Sequence, residues 1–136
     1  MKRFYSGIFL GMALCALLAA PAMAGYDAGL KAYSAGDYAT ALIEFRADNS
    51  AQAKYHLSLM YDKGDGVTQD RAKSLEWLRR SAEQGLDVAQ ANLGIMYCEG
   101  YLVRQDMAEG LKWLRRAAEQ GLEEAQSVII MATADN

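Results

Sequence analysis

Apolar side chains along this chain recur with the period of a helix, and the whole pattern recurs 36 residues later. Ala53, Leu57, Met60 and Tyr61 fall at i, i+4, i+7 and i+8, which is one face of an amphipathic helix. Ala89, Leu93, Met96 and Tyr97 repeat that face, and Ala125 with Ile129 begins it a third time. Laid over each other without a gap, 53–88 and 89–124 agree at 19 of 36 positions, among them Trp77/Trp113, Gly64/Gly100 and Asp70/Asp106. Self-similarity at this spacing predicts a solenoid. One unit is too small to bury its own apolar face and must bury it against its neighbours.

Each unit reads as helix, loop, helix. The first helix ends near Gly64 or Gly100, where glycine takes a left-handed residue without side-chain strain. Val67 and Val103 follow as apolar plugs between the two helices. Asp70 and Asp106 are placed to cap the second helix, and Glu109 stands three residues after Asp106 in a capping-box pattern. The second helix should pack on two sides, with Ala72, Leu75, Leu78 and Ala82 on one and Trp77 and Ser81 on the other. Both tryptophans are expected in the core. Glu76/Arg80 and Arg79/Glu83 are spaced as i, i+4 ion pairs on the remaining surface. Gly85 and Gly121 close the unit, each followed by a leucine that makes the usual contact past a helix end.

Around the two full units, 26–48 reads as a partial repeat of two short helices and 125–136 as a C-terminal half repeat with a first helix only. The expected fold is all-α, about seven helices in stacked hairpins, with no strand and no linker.

The N-terminus calls for a separate reading. Lys2 and Arg3 precede an uncharged apolar run from Ile8 to Ala20, and Ala22-Met23-Ala24 supplies small residues at the positions a signal peptidase reads. Residues 1–24 are therefore expected to be a signal peptide, cleaved after Ala24, which implies a periplasmic or secreted protein with no membrane span left. Of the 14 basic residues two lie in that segment, so 25–136 carries 12 against 17 acidic ones, a net charge of −5. Such a balance, without a basic stripe, argues against nucleic acid and anionic lipid as partners. Cys98 is the one cysteine in 25–136, so no disulfide within the domain is expected.

Candidate chemistry is sparse. His56 is the single histidine, which precludes a multi-histidine metal cluster, and it reads as a surface or boundary residue. Asp62, Asp65 and Asp70 share a loop without the spacing of a calcium loop, and Gly64-Asp65-Gly66 lacks the lysine and threonine of a phosphate loop. No catalytic, metal or cofactor site is expected. The more informative surface is the side of each first helix opposite its packing face. It holds Tyr55, Leu59 and Asp62, then Ala91, Ile95 and Cys98, then Ser127 and Met131. This row either packs neighbouring repeats or forms a groove for a partner. The last helix carries Val128-Ile129-Ile130-Met131, four large apolar residues in succession, which one packed neighbour does not cover. Some of Val128, Ile130 and Met131 are expected to face outward as an interface, to a second copy or to a partner.

The series Ala89-x3-Leu93-Gly94-x2-Tyr97-x2-Gly100-x2-Val103-x2-Asp106-x-Ala108-x4-Trp113-x3-Ala117-Ala118-x2-Gly121 resembles the Sel-1-like repeat family, a relative of the tetratricopeptide repeats. The first unit fits the same series with Ser58 and Ser81 as departures. The resemblance implies a right-handed superhelix of α/α hairpins acting as an adaptor or scaffold for another protein. One secreted, cysteine-rich branch of that family is described as β-lactam-binding or β-lactamase-like, and its paired cysteines are absent here. Three functions thus stand at this stage. They are a non-catalytic interaction module, a β-lactam-hydrolysing enzyme, and an immunity or inhibitor protein that binds one toxic enzyme.

Overall fold

The computed structural model describes residues 25–134; the signal-peptide reading of 1–24 falls outside the described residues. Seven helices follow in order among them, with no strand: α1 Tyr26–Ser34, α2 Tyr38–Ala47, α3 Ala51–Lys63, α4 Arg71–Glu83, α5 Asp87–Glu99, α6 Met107–Glu119 and α7 Glu123–Ala134. Each helix packs on the next, and first helices also meet across the stack, α1 on α3 and α5 on α7. This is the all-α solenoid of hairpins that the repeat predicts.

Helix boundaries follow from local chemistry. The carboxylates of Asp70 and Asp106 each accept the backbone N–H three residues on, from Lys73 and Glu109, both at 3.0 Å. At the far ends Gly64 and Gly100 are left-handed, with φ of 79° and 72°. The capping box closes on one side only. Glu109 turns away from the cap to an ion pair with Lys112 at 3.2 Å, while the Asp106 N–H donates to the Tyr97 carbonyl instead.

The core forms three clusters in sequence along the stack. Ala41, Phe45, Ala53, Leu57 and Met60 make the first, Leu78, Ala82, Ala89, Leu93 and Trp113 the second, and Ala91, Cys98, Leu114, Ala117 and Ala125 the third. Each cluster takes residues from adjacent hairpins, so no hairpin owns a core. A fully buried leucine in such a seam contributes about 1.5–3 kcal/mol relative to an exposed one.

Two expectations about the second helix need correcting. Ala72 is exposed, and Ser74 is buried in its place against Ser58, with the hydroxyl oxygens 3.2 Å apart. Trp113 is buried, but Trp77 is only partly so, packing on the first cluster with Arg80 over its ring at 4.8 Å. The N-terminal hairpin is shorter than a full unit and leaves that indole less covered. Of the expected ion pairs Glu76–Arg80 forms, whereas Arg79 donates to the Tyr97 hydroxyl at 3.1 Å.

Polar side chains lock the seams at equivalent places. Gln84 and Gln120 reach back to the carbonyls of Asn49 and Gly85, while Gln69 and Gln105 satisfy the last-turn carbonyls of Asp62 and Cys98. These amides recur at the repeat period, so they hold the stack rather than mark a site.

Candidate functional site

Helix α7 occupies the position that α3 and α5 hold in the full units. Ala125 repeats Ala53 and Ala89, and all three are buried. That register assigns a role to every residue after it. Ile129 falls where Leu57 and Leu93 fill the core, and with Val128 it packs on the third cluster. Ile130 falls where Ser58 and Gly94 let the second helix cross. At that crossing in the second unit the backbones approach so closely that a Cβ on Gly94 would lie 2.8 Å from the Gly110 carbonyl. No helix crosses α7 among the described residues, and Ile130 stands 67% exposed. Met131, at the position of Leu59 and Ile95, is 63% exposed.

The row predicted from sequence therefore divides. Tyr55 accepts a hydrogen bond from Asn92 Nδ2 at 3.1 Å, tying α3 to α5, and packs on the second cluster. Leu59 and Asp62 are half-buried. Ala91 and Cys98 are largely buried in the third cluster, and each keeps an edge on a cleft beside α7. Burial, with a smaller push from Glu99, raises the Cys98 thiol above its ordinary pKa, so little thiolate forms there. Ser127 is exposed and bonds to its own helix at the Glu123 carbonyl. The row is buried or half-buried through α3 and α5 and becomes exposed at Ser127 and Met131 on α7. There Ile95, Met107, Val128 and Met131 border a cleft of about 410 Å³, with the sulfur-bearing Cys98 at its side. Met131 on the rim of this cleft and the neighbouring Ile130 are the exposed large apolar residues of α7.

A second cleft, of about 450 Å³, lies beside the loop of the second unit, between Arg79, Tyr97, Leu102 and Arg104. Leu102 is the one non-glycine residue with a left-handed backbone among the described residues, with φ of 59°, where the first unit has Gly66 at 69°. Sequence comparison of the units contains that signal, since glycine against leucine in a tight loop marks a conformational conflict.

At the opposite end His56 is a boundary residue enclosed by rings. It stacks on Phe45 at a centroid distance of 5.0 Å, with Tyr26, Tyr33 and Tyr55 around it. Its Nε2 lies 3.3 Å from the Tyr26 hydroxyl, while Nδ1 is buried without a partner. Burial, and less strongly the charge of Lys63, holds its pKa below 6.5. Among the described residues the side-chain hydrogen-bond partner of this ring is the Tyr26 hydroxyl. Among the described residues no three histidine, cysteine, aspartate or glutamate side chains are grouped to hold a metal ion, and no helix is long and apolar enough to cross a membrane.

The comparisons agree with this geometry. Solved structures share the fold, two of them Sel1 repeat or SLR-fold proteins. A Sel1 repeat protein from Oxalobacter formigenes superposes with a TM-score of 0.72 and 33% identity, covering 79% of this chain and 45% of that one. A protective antigen of uropathogenic Escherichia coli strains, with an SLR fold, gives a TM-score of 0.65 and 36% identity over 71% of this chain and 22% of its own. The chain thus spans less than half the length of either. No curated protein sequence matches it. Residues 51–86 and 87–122 each match the Sel1 repeat, units that begin with α3 and α5, two residues ahead of the self-alignment frame. With two such units over more than half its length, the chain belongs to the Sel1 repeat family.

Proposed function

We propose that this protein is a periplasmic or secreted protein-interaction module without catalysis of its own, and that it takes a helix of a partner protein at its C-terminal end. Sel1 repeats generally serve as protein-interaction modules, and the signal-like N-terminus supports export. The observation that carries the docking reading is the apolar surface of Ile130 and Met131. Within the stack part of the row that Met131 continues meets a further first helix, with Asn92 of α5 bonded to Tyr55 of α3 and Val128 of α7 on the same cluster as Ile95 of α5. The shape left open is therefore that of an amphipathic helix, the helix-in-groove mode of recognition. Isoleucine at position 130, where the two full units hold Ser58 and Gly94 under their second helices, favours a docking helix that sits farther out than α6 does on α5.

The test uses the mature domain as bait in the periplasmic extract, then the recovered partner, purified, against two forms of the bait. Ile130→Gln with Met131→Gln should weaken that complex at least a hundredfold while the helical signal by circular dichroism stays unchanged. An unaltered affinity contradicts the docking surface, and self-association lost on the same change replaces the partner with a second copy. Turnover of a chromogenic β-lactam by the purified domain would contradict the non-catalytic reading. A recovered partner that is a toxic enzyme, silenced on binding, would specify the module as an immunity protein.

A further inference from the structure

We infer that the Ala24–Gly25 bond is a processing site and that Glu44 and Asp48 form the receptor for the α-ammonium group that its cleavage creates on Gly25. The inference rests on the export reading above and adds a structural consequence to it. Gly25 is the N-cap of α1, yet no side chain caps that helix. Instead two carboxylates from the end of α2 close over it. The Gly25 N–H donates to Glu44 Oε2 at 3.0 Å, and the Tyr26 N–H donates to Asp48 Oδ2 at 2.9 Å. Gly25 is buried with φ of 93°, and a Cβ there would overlap the Asp48 carboxylate, so that carboxylate lies against the Gly25 backbone.

Glu44 accepts from the Gly25 N–H, while Asp48, which also accepts from the Tyr26 and Ser50 N–H groups, lies against the Gly25 backbone, so both carboxylates stand close to the nitrogen that cleavage would free. An ammonium group at the same nitrogen offers three donors and a positive charge, which suits two carboxylates. It also explains how a helix tolerates a positive charge at its N-terminus, where the macrodipole favours negative ones. Cleavage adds water across the Ala24–Gly25 amide, leaving a carboxylate on Ala24 and the ammonium on Gly25. Export would then tighten α1 onto α2 through an ion pair that the uncleaved chain lacks. The charged groups around this position are Asp27 on α1, Glu44 and Asp48 on α2, and Lys54 on α3, which also acts on Asp48.

The experiment compares chains beginning at Gly25 with a free or an acetylated amine, since acetylation keeps the N–H donor and removes the charge. At pH 6.5 the free form should melt about 4 °C or more above the acetylated one. The sign with pH is set by the amine. Pairing raises its pKa above the unfolded value of about 8, so the advantage is full below that pH and is lost as pH rises through the higher folded value. In the double variant Glu44→Gln, Asp48→Asn the free and acetylated chains should melt together. Equal melting of the two unsubstituted chains, or a difference that survives the double variant, overturns the receptor. The intact mass of the exported protein is read separately, and a start other than Gly25 overturns the processing site itself.

Discussion

The two full hairpins share most of their sequence yet stand in different surroundings, and the differences between them track those surroundings. The first, α3 with α4, is flanked on both sides. Its loop is held by the N-terminal hairpin, with Tyr33 donating to Asp65 at 2.6 Å and Tyr38 pressed against Gly66. The Tyr33 hydroxyl, bonded to that carboxylate, has its pKa pushed up to about 12. In the equivalent loop of the second hairpin Asp65 becomes an exposed Tyr101 and Gly66 becomes the strained Leu102. At the helix crossing the first hairpin uses Ser58 and Ser74, the second Gly94 and Gly110. A near-repeat therefore tolerates change where its neighbours differ and keeps what sets the period. The N-terminal side is closed by aromatic and hydrogen-bonded contacts. On the C-terminal side, among the described residues, Ile130 and Met131 are exposed.

The largest expected effect separates the two tryptophans, which the sequence alone treats as equals. Trp113→Ala empties the seam between the full hairpins and should cost about 3–5 kcal/mol, enough to unfold or nearly unfold a small solenoid. Trp77→Ala removes a partly covered ring and should cost roughly half as much. Urea melts of both variants check this, and equal losses would mean the two seams are equivalent after all.

Exchanging the crossing residues comes next. Gly110→Ser puts a side chain onto Cys98 Sγ and the Gly94 carbonyl, 2.7 Å away, and should cost about 1–3 kcal/mol by overpacking. Ser74→Gly in the first hairpin should cost less, near the 1 kcal/mol of a helical glycine. If chemical melts show both exchanges to be neutral, the crossing distances of the two hairpins do not differ.

The loops offer a change of opposite sign. Leu102→Gly relieves a left-handed leucine and should stabilise the domain by about 1 kcal/mol, the backbone strain outweighing the entropy glycine adds to the unfolded chain. Gly66→Leu should destabilise, because a Cβ there would lie 2.7 Å from Tyr38 Cβ. A loss of stability on Leu102→Gly would mean that its side chain anchors the cleft rather than straining it.

The smallest effect is one of pH. His56 is held neutral in its aromatic surround, so its folded pKa lies below the ordinary 6.5. The unfolded chain then binds the proton more readily. Stability is full above 6.5 and is lost as pH falls toward the lowered value. His56→Phe keeps the ring stacking and should flatten the slope of melting temperature between pH 7 and 5. An unchanged slope would assign it to other groups.

The helices were legible because their apolar period and the 36-residue period reinforce each other. Asp70, Asp106, Gly64 and Gly100 punctuate them with side chains whose capping chemistry is local. What stayed hidden depends on neighbours far along the chain. Ala72 and Ser74 differ by half a turn, and only the approach of α3 decides which is buried. Tyr26 meets His56, and Arg46 donates to the Tyr61 hydroxyl at 2.6 Å, across separations no periodicity encodes. For the candidate surface, four successive apolar residues in α7 announced that some must be exposed. That Ala91 and Cys98 are covered follows from where α6 and α7 lie, which the row of side chains by itself does not contain.

The central claim is that the C-terminal end, and not any exposed apolar spot, takes the partner. Ile43 on α2 provides the control, since it is 67% exposed, as Ile130 is, at the other end of the stack. A photo-crosslinking residue placed singly at position 131 or at position 43, in the exported protein in its own cells, tests this directly. The account predicts one discrete adduct from position 131, removed by Ile130→Gln, and none from position 43. Equal adducts from both positions, or an adduct from 43 alone, would contradict it.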